Sequence, residues 1–249
     1  LITGATITVN AVYRLDASDA KSGDEQEQFF CDAADNSSHA TLTIQHLPAG
    51  QFAFALIHAT GVAKPQQIAL LLQSLQTGGP WQLAGFFPKP LSMAGRDGLW
   101  YWKQARVYAD KKQLWNAWLY YSTTITLLQP AGFFSSPNLE RLVDEQQAVR
   151  PPDLPAAKPL ELHAAGATYT VTSVRTDDAL GGLDLVAHYN STSSDPVTGR
   201  EHTIAVMRAM LALHPELRDA FHGLWVFADP GPGGQAFSLE QPMAEIPRS

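Results

Sequence analysis

The chain has 249 residues, 45% hydrophobic and 16% charged, with a formal net charge of −7 and a pI near 5.5. That length suits one large domain or two modest ones. The acidic balance argues against non-specific nucleic-acid binding, which needs a basic face to displace counterions, and the single cysteine, Cys31, rules out an intrachain disulfide and a cysteine-built metal site.

No run approaches the roughly 18 apolar residues that a membrane helix needs. Lysine is sparse, the strands are rich in Thr, Ser, Asn and Gln, and the chain starts at Leu1. The expectation is an extracytoplasmic protein, whether periplasmic, secreted or lipid-anchored. Cys31 lies in an acidic, polar stretch with no cation beside it to lower its thiol pKa, so it reads as inert. Asn36-Ser37-Ser38 and Asn190-Ser191-Thr192 have the form of glycosylation sequons.

In chain order, Ala5–Leu15 alternates as a strand. Residues 16–38 read as a long solvated loop, or alternatively a loop carrying a short helix around Gly23–Phe30. Ala40–His46 is a strand, and Leu47-Pro48-Ala49-Gly50 turns it into Gln51–Ala59. This second strand is apolar on both faces, so it should be central and covered on both sides. Lys64–Gln76 carries Ile68, Leu71, Leu72 and Leu75 at helical spacing and reads as an amphipathic helix. Trp81–Phe87 returns as a strand. Residues 51–88 thus form an expected strand–helix–strand unit.

A Gly-containing connection over 91–98 leads to two helices, Leu99–Ala109 and Gln113–Leu128, with Lys111-Lys112 in the turn. Ser136-Pro137 opens a third helix, Asn138–Ala148, by an N-cap and a proline in the first turn. Its apolar edge is Leu139, Leu142 and Val143. Arg150–Pro159 holds four prolines and reads as an extended linker. Beyond it, Leu160–His163, Thr168–Val174 and Leu183–Tyr189 are strands, and 190–201 is a polar loop. Thr203–Leu213 is an apolar helix, Pro215–Phe221 a second short one. Leu224–Ala228 is a buried strand, and Ala236–Gln241 a returning one. The order around His58 and Trp81 echoes that around His188 and Trp225, as a duplicated strand–helix–strand would.

The densest aromatic stretch is Leu99–Pro130, with four of the six tryptophans. From Gly98 to Ala131 it resembles a single tetratricopeptide-type helix pair. Tyr101, Ala105, Tyr108, Ala117 and Tyr121 match that pattern, alanines allowing close helix approach and aromatics filling the flanking holes. Gln104 and Thr124 depart from it, Pro130 is displaced by one, and there is no second copy. The resemblance implies a protein-interaction or scaffolding role. Trp100 and Trp102 lie about 200° apart on a helix, so the rings cannot all face one seam. Trp100, Trp102, Trp115, Trp118 and Tyr120 are therefore the candidate binding residues for a protein partner.

Chemistry is sparse. None of the eight histidines makes a HExxH-type pair, and there is no GxSxG, Walker loop, dinucleotide fingerprint or EF-hand loop. No metal and no cofactor are expected. His58 reads as a core residue. His188 shares a strand face with Asp184, Val186 and Asn190 and is the best single functional candidate. Asp229 follows a buried strand. If the two strands were neighbours, His188 and Asp229 would form an acid–base pair.

The reading is α+β: two small sheet-containing lobes (residues 1–90 and 160–249), a central helical hairpin plus third helix (91–149), and a linker (150–159). The expected function is non-enzymatic interaction or scaffolding through the aromatic hairpin. The alternative is a small-molecule-binding protein or hydrolase with an inter-lobe cleft using His188 and Asp229.

Overall fold

A computed structural model of the chain describes residues 3–20, 26–32, 39–74, 78–191, 195–231 and 236–247. The fold class is α+β, with four α-helices and several small sheets among the described residues. The chain divides into two compact units. The first is Leu1–Leu99 with Thr124–Glu145, the second Trp100–Thr123 with Gln146–Ser249. The division therefore does not fall at the Pro-rich segment, and the hairpin helices contribute to both units.

The first unit is built on β1 (Thr6–Ala17), β2 (Gln26–Asp32), β3 (His39–Gln45), β4 (Gly50–Thr60), β5 (Gln66–Ser74) and β6 (Gln82–Pro90). Four of them make an antiparallel sheet in the order β1-β4-β5-β6. The helix expected over Lys64–Gln76 is instead β5. Its apolar residues fit a strand buried on both faces as well as a helical stripe, and nine residues is short for a helix. Pairing with β4 on one side and β6 on the other decides the outcome. Residues 51–88 are thus an all-strand meander and share no repeat with the second half. The expected loop over 16–38 is also corrected. Gln26–Asp32 is a strand paired with β3, Phe29 opposite Leu42, with Glu27, Phe29 and Cys31 less exposed than the alternate residues Gln26, Gln28, Phe30 and Asp32. The first sequon and the rest of the expected Gly23–Phe30 helix fall partly or wholly outside the described residues.

The 91–98 connection contains a small hairpin, β7 (Ser92–Met93) with β8 (Arg96–Asp97). Helices α1 (Gly98–Asp110) and α2 (Leu114–Leu128) follow, turned by Lys112 at a positive φ of 61°. Short β9 (Phe134–Ser135) joins β3. It leads into α3 (Pro137–Ala148), where the Leu139 N–H donates to Ser136 Oγ at 3.3 Å as an N-cap. Leu139 and Leu142 are buried, whereas Val143 is exposed. Phe133 and Phe134 pack edge-on and stacked against Phe54 of β4, and Phe133 also meets Phe87 of β6. These contacts close one face of the four-stranded sheet.

The second unit holds β10 (Leu160–Ala164), β11 (Ala167–Asp177), β12 (Asp184–Ser191), α4 (Pro196–Leu213), β13 (Gly223–Pro230) and β14 (Phe237–Pro242), paired in that order. A 3-10 turn covers Pro215–Asp219. β12 and β13 are parallel, joined by the α4 crossover, and the other pairs are antiparallel. α4 starts seven residues before the expected Thr203, because Asp195 caps it and Pro196 occupies its first turn. Tyr189 on β12 reaches Thr203 on α4, with the two hydroxyl oxygens 3.3 Å apart, which places α4 on the face of Leu185, Ala187 and Tyr189.

The Pro-rich segment is docked, not a free linker. Pro151 and Pro155 are buried, and Asp153 Oδ1 accepts the Trp115 indole N–H at 3.0 Å. No described helix is long and apolar enough to cross a membrane.

Candidate functional site

The five candidate rings of the hairpin separate by burial. Trp115 is 2% exposed and Tyr120 5%, so both are core residues. Trp115 lies against His214 at 4.4 Å. The Tyr120 hydroxyl donates to the Ala220 carbonyl at 2.6 Å, and burial raises its pKa. Trp100, Trp102 and Trp118 are half-buried. Each has a partner within the second unit: Trp100 the Tyr101 ring, Trp102 the Arg106 guanidinium and Trp118 that of Arg150. Tyr101, Ala105, Tyr108, Ala117 and Tyr121, which carry the helix-pair resemblance, are all buried.

A larger apolar surface lies where the sequence pointed to a covered strand. β4 is apolar on both faces and central in its sheet, as expected. Its Phe54 face is closed by Phe133 and Phe134. The other face carries Ala53, Ala55, Ile57 and Ala59, aligned with Val9 and Val12 on β1 and with Leu70 on β5, which faces Phe86 on β6. Val9 is 58% exposed, Val12 57% and Phe86 54%, and Leu83 at the β6 bulge 60%. The alanines form a trough along β4 between ridges of larger side chains. On this face Ala53, Ala55, Ala59 and Ile68 are buried, and the exposed apolar side chains lie on the outer strands β1 and β6. Four strands of about nine residues span roughly 600 Å² at ordinary strand spacing and rise. That footprint bounds the apolar patch from above, since Arg14 and Gln66 stand on the same face opposite Ala53 and Ala59.

His188 and Asp229 do meet. β12 and β13 are adjacent and parallel, with Asn190 opposite Asp229. The His188 Nδ1 atom lies 3.1 and 3.2 Å from the two Asp229 carboxylate oxygens. The imidazole also stacks on Phe227, centroids 4.7 Å apart and planes 9° apart, and Phe227 touches Trp225. All four side chains stand on the sheet face turned away from α4. Ser173 of β11 is the direct cross-strand partner of His188 on that face and is exposed. His58, expected in the core, is intermediate in exposure and stands between Thr8 and Gln67.

At the other end of the same face, Asp184, His222 and Glu240 converge, a grouping the sequence did not suggest. Asp184 is 1% exposed, and one of its oxygens lies 3.0 Å from His222 Nδ1. One donor atom from each of the three residues lies within 4.8 Å of the others. Burial, and then the Asp184 charge, push the Glu240 carboxyl above its ordinary value. The three residues are 18 and 38 positions from one another in the chain, with no motif spacing, and only the β12–β13–β14 register unites them.

Among the described residues, two further hollows lie in the first unit. One of about 360 Å³ is lined by Arg14, Asp16, Gln51, Phe52, Ser74 and Trp81. The other, about 270 Å³, runs beside α3 at Leu139 and Val143. Comparison with known proteins finds no matching family model, no matching curated protein and no matching solved structure.

Proposed function

We propose that this is a non-enzymatic interaction protein that docks through the outer face of its N-terminal sheet, and that the surface it accepts is the same face of a second copy. One observation carries the reading: β4 is apolar on both faces, and on one of them Val9 and Val12 of β1 and Leu83 and Phe86 of β6 stay more than half exposed. A monomer gains nothing from a doubly apolar central strand unless something covers it. The face has uncharged central residues, and a ridge of one copy can enter the alanine trough of the other under a two-fold axis. Its roughly 600 Å² approaches the ≈ 800 Å² per partner of a standard interface, and two such sheets would pack as a sandwich about 10 Å apart.

Analytical ultracentrifugation of the purified chain tests this. A dimer is expected at micromolar concentration. Val12→Asp and Phe86→Asp, both at exposed positions, should weaken it at least about tenfold while leaving the melting temperature near that of wild type. A wild-type chain that is monomeric at 100-fold higher concentration contradicts the reading.

A second reading is favoured by the His188–Asp229 geometry. An imidazole clamped on Phe227 and oriented by a carboxylate through Nδ1 leaves Nε2 as its working atom. With Ser173 across the strand pair, the order Ser–His–Asp suits binding or hydrolysis of a small acyl substrate. A serine-directed fluorophosphonate probe should then label Ser173 in wild type and not in His188→Ala. No labelling in either protein counts against it.

A further inference from the structure

The three side chains converging at Asp184 have a property that a purely structural cluster lacks. Asp184 Oδ2 and Glu240 Oε1 are both buried without a hydrogen-bond partner. A carboxylate oxygen buried unpartnered costs free energy, and two facing each other cost more. The backbone, moreover, is shaped to bring them together. A Cβ on Gly223 would lie 2.6 Å from Glu240 Oε1 and 2.8 Å from Asp184 Oδ1, so both carboxylates lean over that glycine. A Cβ on Gly182 would lie 2.4 Å from the His222 side chain. Glycine at both positions lets the carboxylates and the imidazole close on one point. Asp184 directly precedes Leu185, which pairs with Leu224, and Glu240 is opposite Trp225, so neighbouring strands carry two of the three donors.

We propose that Asp184, Glu240 and His222 form a binding site for one divalent transition cation of the zinc or manganese class. One imidazole and two carboxylates make a mixed N/O donor set, which suits these ions better than magnesium or calcium with their all-oxygen preference. Asp184 is the rigid ligand, fixed by burial. His222, whose side chain is 51% exposed, is the adjustable one and closes the remaining distance to bonds of about 2.0–2.2 Å. Three protein ligands with a solvent-exposed imidazole leave at least one coordination position open to water. The site is independent of the N-terminal sheet face and of His188.

The test uses the full chain, stripped by dialysis against a chelator. Isothermal titration with Zn²⁺, and with Mn²⁺ followed by electron paramagnetic resonance, reads stoichiometry and affinity. One equivalent is expected, with a melting temperature that rises on saturation. His222→Ala removes an exposed ligand and should lower the affinity at least about tenfold. Glu240→Gln should do the same, and Gly223→Ala should abolish binding by filling the cradle. His188→Ala should bind as wild type. Melting of His222→Ala in chelator, unchanged from wild type, shows that it folds. No binding of either ion at millimolar concentration overturns the proposal. So does binding that His222→Ala and Glu240→Gln leave unaltered, since the ion then sits elsewhere.

Discussion

The indole N–H of Trp115 donates to Asp153 Oδ1 at 3.0 Å, and so a helix is tied to a segment that its composition marks as a linker. The other Asp153 oxygen lies 3.0 Å from His214 Nε2, and the His214 ring rests on Trp115. Glu216 approaches the opposite ring nitrogen at 3.5 Å. Asp153→Ala leaves a buried N–H without its acceptor and should cost about 1–3 kcal/mol in urea unfolding. Asp153→Asn keeps an acceptor for Trp115 and should cost less. If the segment were a free linker, neither change would register.

The hairpin start makes a separate prediction. A Cβ on Gly98 would lie 2.6 Å from Leu128 Cγ and Cδ2. Gly98→Ala should therefore destabilise the protein by about 1–3 kcal/mol through overpacking, despite the better helix propensity of alanine. Leu128→Ala, combined with it, should recover part of the loss in a double-mutant cycle. Purely additive costs would place the strain elsewhere.

Much of this fold is legible in the sequence, and the exceptions share a cause. The hairpin helices, α3 with its Ser136 cap, and the strands of the second unit follow from local periodicity and from cap and turn residues. β5 does not, because Ile68, Leu71 and Leu72 satisfy a helical stripe and a doubly buried strand alike, and only β4 and β6 decide. β2 hides in an acidic stretch because one polar-facing edge suffices once β3 supplies its partner. The start of α4 is not legible because Asp195-Pro196 sits in a run polar enough to pass for a loop. As to sites, the possible meeting of His188 and Asp229 was readable from strand-end positions, though their adjacency was not. The Asp184–His222–Glu240 grouping left no trace, since cross-strand register carries no sequence spacing.

The α4 cap ties stability to pH. Asp195 accepts from the Thr198 hydroxyl at 2.7 Å and from the Thr198 N–H at 2.8 Å. The hydroxyl first, then the N–H, holds its carboxyl below the ordinary 3.8. A depressed folded value means the contribution is present above the unfolded pKa and is lost as pH falls through the folded one. Asp195→Asn keeps a capping oxygen and loses the ionisation. The stability gap between wild type and this variant should thus narrow as pH drops below about 3.8. A gap that is flat with pH would place the charge outside the cap.

If the Val12–Phe86 face meets its own copy, site-directed cross-linking will capture the pair. Cys31 is the chain's only cysteine, so Cys31→Ser gives a clean background. A short bifunctional maleimide should trap a covalent dimer through Val12→Cys, and through Phe86→Cys. Val197→Cys, 67% exposed on the first turn of α4, should stay monomeric under the same conditions. Equal cross-linking at all three positions, or none at 12 and 86, would contradict the account.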